Sequence, residues 1–183
     1  MDTFFEQIVK KKKSLSSWAL IVGVVLLAVV LIALVWIFSI LAVIATVGIV
    51  YGAWWLATTQ NVEFEYCVTN GDIDVDKIVA RRKRVRLVSV SGRKIRALAP
   101  YDPQKPLGKF QRTVLVAPSL NEEGLWYFTY HSKKNGDTLV VFMPDDRVLG
   151  ALYDGLPKLT QMDTARAARE AGLPVPAKRE MDD

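Results

Sequence analysis

The sequence has little of the two residue types that most often carry covalent and metal chemistry. Its 183 residues include one cysteine, Cys67, and one histidine, His131. A single cysteine cannot form an internal disulfide, so nothing indicates an oxidising compartment. A structural zinc site needs about four cysteine or histidine ligands, more than this chain contains. We therefore expect no metal and no cofactor.

Charge is absent from a long stretch near the N-terminus. No acidic or basic residue occurs from Trp18 to Ala57, although a helix in water needs a polar face. Apolar runs of about 18 residues or more are typical of membrane spans. One straight helix of this length would measure about 60 Å, twice the ~30 Å hydrocarbon core. The run therefore predicts a transmembrane helical hairpin, with spans at 15–38 and 41–58 that reverse around Phe38–Leu41.

Cationic residues bracket this apolar run. Lys10–Lys13 precede it and Arg81–Arg84 follow it. Positive segments near a span stay on the cytoplasmic side. The pattern predicts a multi-pass protein of the plasma membrane with both termini in the cytoplasm. A cleaved signal peptide is disfavoured, because its apolar region would span only ~7–15 residues.

Two short patterns flank or interrupt the spans. In segment 1–14, apolar residues at i, i+4 spacing are followed by lysines, which is typical of an interfacial helix and equally of an irregular basic terminus. Gly48 and Gly52 form a small-xxx-small pair (GIVYG). Ordinary packing within the hairpin is the favoured interpretation of that pair, and a dedicated association motif is the alternative.

Residues 60–157 carry the patterns of a β domain. Apolar residues alternate with polar ones from Val62 to Val68, and Asn70-Gly71 is a strong hairpin signal. Arg93–Leu98 is ambiguous between a strand and a helical turn, and Pro100–Lys109 is a loop. The further predicted strands are Ile73 to Ala80, Val85–Val90, Arg112–Ala117, Trp126–Ser132 and Thr138–Met143, the last two joined at Asn135-Gly136.

Helices are predicted at the C-terminal end. Pro144 opens an amphipathic helix at 145–154, whose first turn is acidic and so complements the helix dipole. Segment 158–183 is predicted to hold a short helix at Asp163–Ala171 and, beyond Pro174, a disordered tail. Six or seven antiparallel strands closed by one helix are the layout of pleckstrin-homology-like (PH-like) domains. We expect an α+β membrane protein: the hairpin, then a cytoplasmic PH-like domain with a C-terminal helix.

Four segments together resemble a known family: MDTFFEQIVKKKKS, NVEFEYCVTNGDIDVDKIVARRKR, LAPY at Leu98–Tyr101 and FMPDDRVLGAL at Phe142–Leu152. They are similar to an uncharacterised family of small clostridial, Gram-positive, two-span membrane proteins of unknown function. The element order is also similar, more loosely, to bacterial PH-like membrane proteins. The resemblance implies the architecture above and no catalytic residue.

The most informative motif is a basic cluster within sixteen residues that contain no acid. Near an anionic leaflet, each such charge contributes about 1 kcal/mol of attraction. Contact with anionic lipid headgroups is the favoured interpretation; enforcement of topology alone, or a protein or nucleic-acid partner, are the alternatives. No aromatic residue interleaves the charges, which disfavours nucleic acid. The cluster comprises Arg81, Arg82, Lys83, Arg84, Arg86, Arg93, Lys94 and Arg96.

The remaining motifs favour structural roles. His131 is predicted to be a surface residue beside a turn, and Cys67 an incidental thiol. Asp72, Asp74 and Asp76 lack the glycine and glutamate of a calcium loop, so we expect them on the exposed face of a strand. The aromatic residues of 126–130 are expected to be core residues with one exposed ring. No nucleotide-binding or nucleophile-elbow motif occurs.

These patterns predict a membrane-anchored, non-enzymatic interaction module. Its cytoplasmic domain would bind an unknown protein partner or the anionic inner surface of the bilayer. The alternative hypothesis is an accessory subunit of a larger, transporter-like membrane complex.

Overall fold

The computed structural model describes residues 4–38, 42–105 and 107–177. They form eight β-strands, four α-helices and one 3-10 turn, with polar loops between them. The strands are β1 (Phe4–Lys10), β2 (Val62–Thr69), β3 (Asp72–Val79), β4 (Lys83–Val90), β5 (Ile95–Pro100), β6 (Arg112–Leu115), β7 (Trp126–Ser132) and β8 (Gly136–Phe142). The helices are α1 (Leu15–Phe38), α2 (Ala42–Thr58), α3 (Asp146–Asp154) and α4 (Lys158–Glu170).

The strands form two four-stranded sheets that enclose one hydrophobic core. Sheet A has the order β1-β2-β3-β4 and sheet B the order β5-β7-β8-β6. Tyr66, Phe128 and Phe142 are fully buried between them, and their rings make edge-to-face contacts. The prediction of only antiparallel strands is wrong for β6, which pairs parallel to β8. The loop that precedes β6 returns the chain to the far edge of sheet B, which makes this parallel pairing possible.

Strands β2 and β3 form the hairpin that the alternation predicts. Asn70 and Gly71 both have positive φ angles, 50° and 83°, which the two-residue turn requires and which Asn-Gly adopts readily. The ambiguous segment contains both elements, because a 3-10 turn at Gly92–Lys94 leads directly into β5. In segment 126–130, Trp126, Phe128 and Tyr130 are buried, as expected of core residues, whereas the fourth ring, that of Tyr127, is half-buried instead of exposed.

The N-terminal segment is a strand, and the predicted interfacial helix is wrong. β1 pairs along its whole length with β2, from Phe4 opposite Thr69 to Lys10 opposite Glu63. The apolar residues whose i, i+4 spacing indicated a helix are divided between the two faces of this strand. Val9 lies inside the core, and Ile8 is exposed on the outer face. The backbone of β2 supplies hydrogen-bond partners that a short helix would have to provide for itself. The β domain therefore includes residues that precede both apolar helices.

The side chain of Gln7 fixes β1 to the rest of the domain. Its Nε2 donates to the carbonyl of Met143 at 3.1 Å, and its Oε1 accepts from the backbone N–H of Asp145 at 2.8 Å. Asp145 in turn caps α3 by accepting from Val148 N at 2.8 Å. These bonds place α3 against the edge formed by β1 and β2.

Helices α1 and α2 lie side by side, where the sequence predicts two apolar helices. Trp36 Nε1 donates to Thr46 Oγ1 at 3.0 Å across the pair. By length and composition Leu15–Ile37 can cross a membrane, whereas Ala42–Thr58 is a shorter apolar helix. The predicted reversal falls on residues 39–41, outside the described residues. Packing within the pair does not use Gly48 or Gly52, because a Cβ at either position would meet no atom of the described residues within 4 Å.

The C-terminal region is more ordered than the sequence predicts. Helix α4 begins at Lys158, five residues before the predicted start, and packs against β5. It buries Thr160, Thr164 and Ala168, and this stripe of small and polar residues gives no apolar signal. The predicted disorder beyond Pro174 is wrong for residues 174–177, because Pro176 is buried. Residues 178–183 lie outside the described residues.

Candidate functional site

The turn between β3 and β4 has an unusual backbone. Ala80 and Arg81 have φ angles of 53° and 55°, a left-handed conformation that non-glycine residues rarely adopt. The N–H of Arg82 donates to Val79 O at 3.0 Å, and that of Ala80 to Asn61 O at 2.7 Å. The second bond ties the turn to the segment that leaves α2. The turn is therefore a three-residue hairpin loop, residues 80–82, held in a fixed place despite the local strain of its first two residues.

Arg82 reaches from this turn to the end of α2. Its guanidinium lies 5.0 Å from the ring centroid of Trp54, and its Nη2 donates to Thr58 Oγ1 at 3.1 Å. A guanidinium over an indole face is attracted by the ring quadrupole. Arg82 thus joins the sheet to the helix.

The lysines between β1 and α1 surround the same junction. Lys11 N donates to Val62 O at 2.9 Å, which continues the pairing of β1 with β2. Lys12 Nζ lies 2.6 Å from Glu122 Oε1 on a neighbouring loop. Lys13 Nζ lies 5.3 Å from the ring centroid of Trp18 in the first turns of α1. Both apolar helices therefore meet the sheet beside a cation stacked on a tryptophan.

A cavity of about 590 Å³ opens at this place, and we name it the junction pocket. Among the described residues that line it there are five cations and one carboxylate, Glu63, which pairs with Arg81 at 3.6 Å. The lining therefore has a net charge of +4. The lining residues are Lys10, Lys11, Lys13, Trp54, Thr58, Gln60, Asn61, Val62, Glu63, Ala80, Arg81 and Arg82.

The predicted basic cluster is divided by the fold. Arg81, Arg82 and Lys83 lie at the junction, exposed, and the first two line the junction pocket. Arg84 and Arg86 instead lie across the outer face of sheet A. Arg84 pairs with Glu65, and Arg86 pairs with Asp74 and Asp76 at 2.6 and 2.5 Å. The hydrogen bond that Arg86 donates to the Asp76 carboxylate raises the pKa of Arg86.

The other cluster members lie away from the junction, Arg93 and Lys94 after β4 at the opposite end of sheet A and Arg96 in β5 of sheet B. Arg93 and Lys94 are in the 3-10 turn beside the β2–β3 loop, and both are exposed. Arg96 pairs with Asp137 at 3.1 Å. The same carboxylate lies 2.7 Å from His131 Nδ1, and this hydrogen bond, with the charge of Arg96, lowers the pKa of Asp137. His131 is exposed beside the β7–β8 turn, as predicted.

The carboxylates of β3 are less exposed than predicted. Asp76 is buried beneath the guanidinium groups of Arg84 and Arg86, so the expectation of a fully exposed acidic face is wrong there. Cys67 shares this face; partial burial, together with the charges of Asp74 and other nearby carboxylates, raises the pKa of its thiol. Over the described parts of the chain, no three or more His, Cys, Asp or Glu side chains are placed to hold a metal ion.

Sequence reasoning missed the members of the junction pocket that come from outside the cluster. Trp54 and Thr58 belong to an apolar helix, and Lys10, Lys11 and Lys13 are separated from Arg81 by the whole helical pair. One sequence signal could have linked these segments: the alternation of β1. Its inward residues, Phe5, Gln7 and Val9, repeat with the same period of two as β2, which indicates a strand that could pair with β2. The pairing of Arg84 and Arg86 with acidic residues was also missed, because those acidic residues lie on neighbouring strands.

Comparison with known protein families gives a match over most of the chain. The family model described as bacterial PH-like domain (DUF6106) matches residues 1–160. No curated protein and no solved structure matches the chain. The matched range includes β1, both apolar helices, the two sheets and α3, which agrees with a β domain that begins before the helices. This chain belongs to the bacterial PH-like domain family.

Proposed function

We propose that this protein is a membrane-anchored, non-enzymatic interaction module that holds its PH-like domain against the anionic inner surface of the bilayer. One observation carries the proposal: two apolar helices are inserted between the paired strands β1 and β2, and cations gather where they enter the sheet. The absence of a catalytic role is part of the proposal, in keeping with the general use of PH-like domains as binding modules.

The composition and length of the helices support membrane anchoring. Helix α1 has 24 residues, or about 36 Å, and α2 has 17 residues, or about 26 Å, at the rise of an α-helix. The hydrocarbon core is ~30 Å thick. Most of their large apolar side chains are exposed, including Leu26, Ile37 and Ile44. Water disfavours such a surface, and lipid tails accommodate it.

The pairing of β1 with β2 supports two crossings. The chain enters α1 from β1 and leaves α2 into β2, and these strands are hydrogen-bonded neighbours. Both ends of the helical pair must therefore lie on the same side of any bilayer that the helices enter. An even number of crossings meets this condition, and one crossing does not.

The distribution of charge supports the cytoplasmic side. Lys10–Lys13 and Arg81–Lys83 all lie where the helices meet the sheet. Basic segments next to a span remain in the cytoplasm, where the leaflet is anionic and attracts each Lys or Arg by about 1 kcal/mol. The domain would then rest on the membrane through this end, with the β2–β3 loop pointing away.

Two measurements on the full-length protein test the proposal. In a Cys67→Ser background, single cysteines at Glu6 and Gln104 are labelled with an impermeant maleimide in sealed inverted vesicles and in intact cells. Both should react only in the vesicles, because both face the cytoplasm. Labelling of the two positions from opposite sides, or release of the protein by alkaline carbonate, would refute membrane anchoring as proposed.

The second measurement compares hydrogen exchange in anionic and neutral nanodiscs. The β3–β4 turn should be better protected in phosphatidylglycerol than in phosphatidylcholine, and the β2–β3 loop should be unchanged. Equal protection in both lipids would refute the surface contact. Co-purification in mild detergent with a second membrane protein at fixed stoichiometry would instead favour the accessory-subunit hypothesis.

A further inference from the structure

We propose that the junction pocket is a discrete binding site for the phosphate group of one anionic phospholipid. The inference rests on the proposed membrane placement and goes beyond it, because diffuse attraction to a charged surface needs no pocket. The cavity, at about 590 Å³, lies within the ~300–1,000 Å³ typical of small-molecule sites. Its cations come from two separate segments that only the folded domain brings together.

The geometry of the turn supports a built site. Ala80 and Arg81 have a left-handed backbone conformation, and Arg82 comes directly after them. This strained conformation is retained because the surrounding hydrogen bonds impose it. The bond from Ala80 N to Asn61 O, 2.7 Å long, fixes the turn against the end of the helical segment. Two arginines on a solvated surface loop would need neither constraint.

Arg82 is oriented before any ligand binds. The contact with Trp54 and the hydrogen bond to Thr58 fix its guanidinium plane, and one of its five N–H donors is used by that bond. A fixed guanidinium loses little entropy on binding and can bond two phosphate oxygens at once. Lys11 and Lys13, which also line the pocket, supply further positive charge.

The position of the pocket favours a lipid over a soluble phosphate. One wall is the last turn of the apolar helix α2, which carries Trp54 and Thr58. Acyl chains attached to a bound phosphate would continue along the exposed apolar side chains of α2, such as Val50. Tryptophan is enriched at this depth, where headgroups meet hydrocarbon. A free phosphate ion has no acyl chain, so it would make no apolar contact with that wall.

Native mass spectrometry of the full-length protein in detergent tests the inference, with phosphatidylglycerol titrated as the probe. The wild type should retain one lipid at saturation. Arg82→Gln and Lys13→Gln should each weaken this binding about fivefold, the effect of ~1 kcal/mol per charge. Arg93→Gln is the matched control: it removes the same charge from an exposed arginine at the far end of sheet A, and should leave binding unchanged.

The outcomes separate the two proposals. The pocket proposal would be overturned if Arg93→Gln and Arg82→Gln lost equal lipid affinity, or if lipid adducts accumulated without a first saturable site. Neither result would affect the surface contact measured in nanodiscs. Displacement of the lipid by inorganic phosphate at the same concentration would show that the pocket binds phosphate without preference for a lipid, which would overturn the lipid as the ligand. Protection of the β3–β4 turn that is identical in neutral and anionic nanodiscs would overturn the proposed function itself.

Discussion

The hydroxyl of Tyr66 in sheet A donates a hydrogen bond to the backbone carbonyl of Val116 beside sheet B. The same oxygen accepts from Met143 N at 3.4 Å, so one buried side chain links three separate parts of the domain. Burial raises the pKa of this phenol well above its usual value, which keeps the donating proton in place across the physiological range.

Tyr66→Phe should therefore destabilise the protein by about 1 kcal/mol, because the ring packing remains and the hydrogen bond is lost. Urea unfolding of the full-length protein in detergent measures the effect. Tyr127→Phe is the control, since that side chain is only half-buried on the same domain. Equal losses in the two variants would show that the hydroxyl of Tyr66 contributes nothing specific.

The helical pair occupies the place of a β-hairpin turn. Since Lys11 N already bonds Val62 O at 2.9 Å, replacing residues 12–61 by Asn-Gly should close a two-residue hairpin. We expect a soluble domain with its sheet content retained by circular dichroism. A fragment that starts at residue 60 lacks β1, exposes the edge of β2 and should aggregate. Equal solubility and stability of the two chains would contradict the structural role of β1.

Gly155 is a point of close backbone approach. A Cβ at this position would meet Cα and the carbonyl of Gly71 at 2.5–2.8 Å, and backbone atoms yield less readily than side-chain ends. Gly155→Ala should cost about 1–3 kcal/mol, as overpacking does. Gly108→Ala, where a Cβ would find open space among the described residues, should be nearly neutral. A neutral Gly155→Ala would show that the β2–β3 loop moves freely.

The ion pair of Asp137 predicts an acid-dependent effect. Its lowered pKa, caused first by the His131 hydrogen bond and then by the charge of Arg96, means that the folded state favours the carboxylate. The contribution to stability is present above the unfolded pKa of ~3.9 and is lost as pH falls through the folded value. In His131→Gln, carboxyl NMR titration should find the pKa of Asp137 nearer its usual value. Lys133→Gln, in the same turn, should leave it unchanged.

The Cys67 thiol should be a slow nucleophile. Its pKa is raised by partial burial and then by nearby carboxylates, with Asp74 first, so little thiolate is present near neutral pH. Iodoacetamide should alkylate the folded protein more slowly than free cysteine at pH 8, and Asp74→Asn should accelerate the reaction. Because Asp72 lies further along the same strand, Asp72→Asn should have a smaller effect; equal acceleration by both would contradict the electrostatic cause.

Local patterns predicted much of the sheet structure, and non-local ones were missed. The limits of β7 and the Asn-Gly turns follow from alternation and backbone preference, which act within a few residues. By contrast, β1 is short, and its side-chain spacing fits a helix as well as a strand, so only its pairing with distant β2 decides between them. The Ala80-Arg81 turn was missed for a different reason: neither residue prefers the left-handed conformation that the fold imposes.

The candidate site shows the same limit. The eight basic residues were identified together because they are close in sequence, yet the fold separates them and adds Lys10–Lys13 from a distant segment. Charge on neighbouring strands decides which of them remain free, since Glu65 and Asp76 neutralise Arg84 and Arg86. Neither effect can be obtained from composition within one window of the chain.

The interruption of sheet A between its first two strands also constrains biosynthesis. During translation β1 leaves the ribosome first, but its partner becomes available only after the apolar segment has been synthesised. If the helices enter the membrane as proposed, insertion of that segment would precede completion of the sheet. A nascent chain that failed to insert would keep an unpaired strand and two apolar helices in water, and chaperones and proteases recognise such surfaces. Under the proposed membrane placement, maturation of the domain is coupled to its delivery.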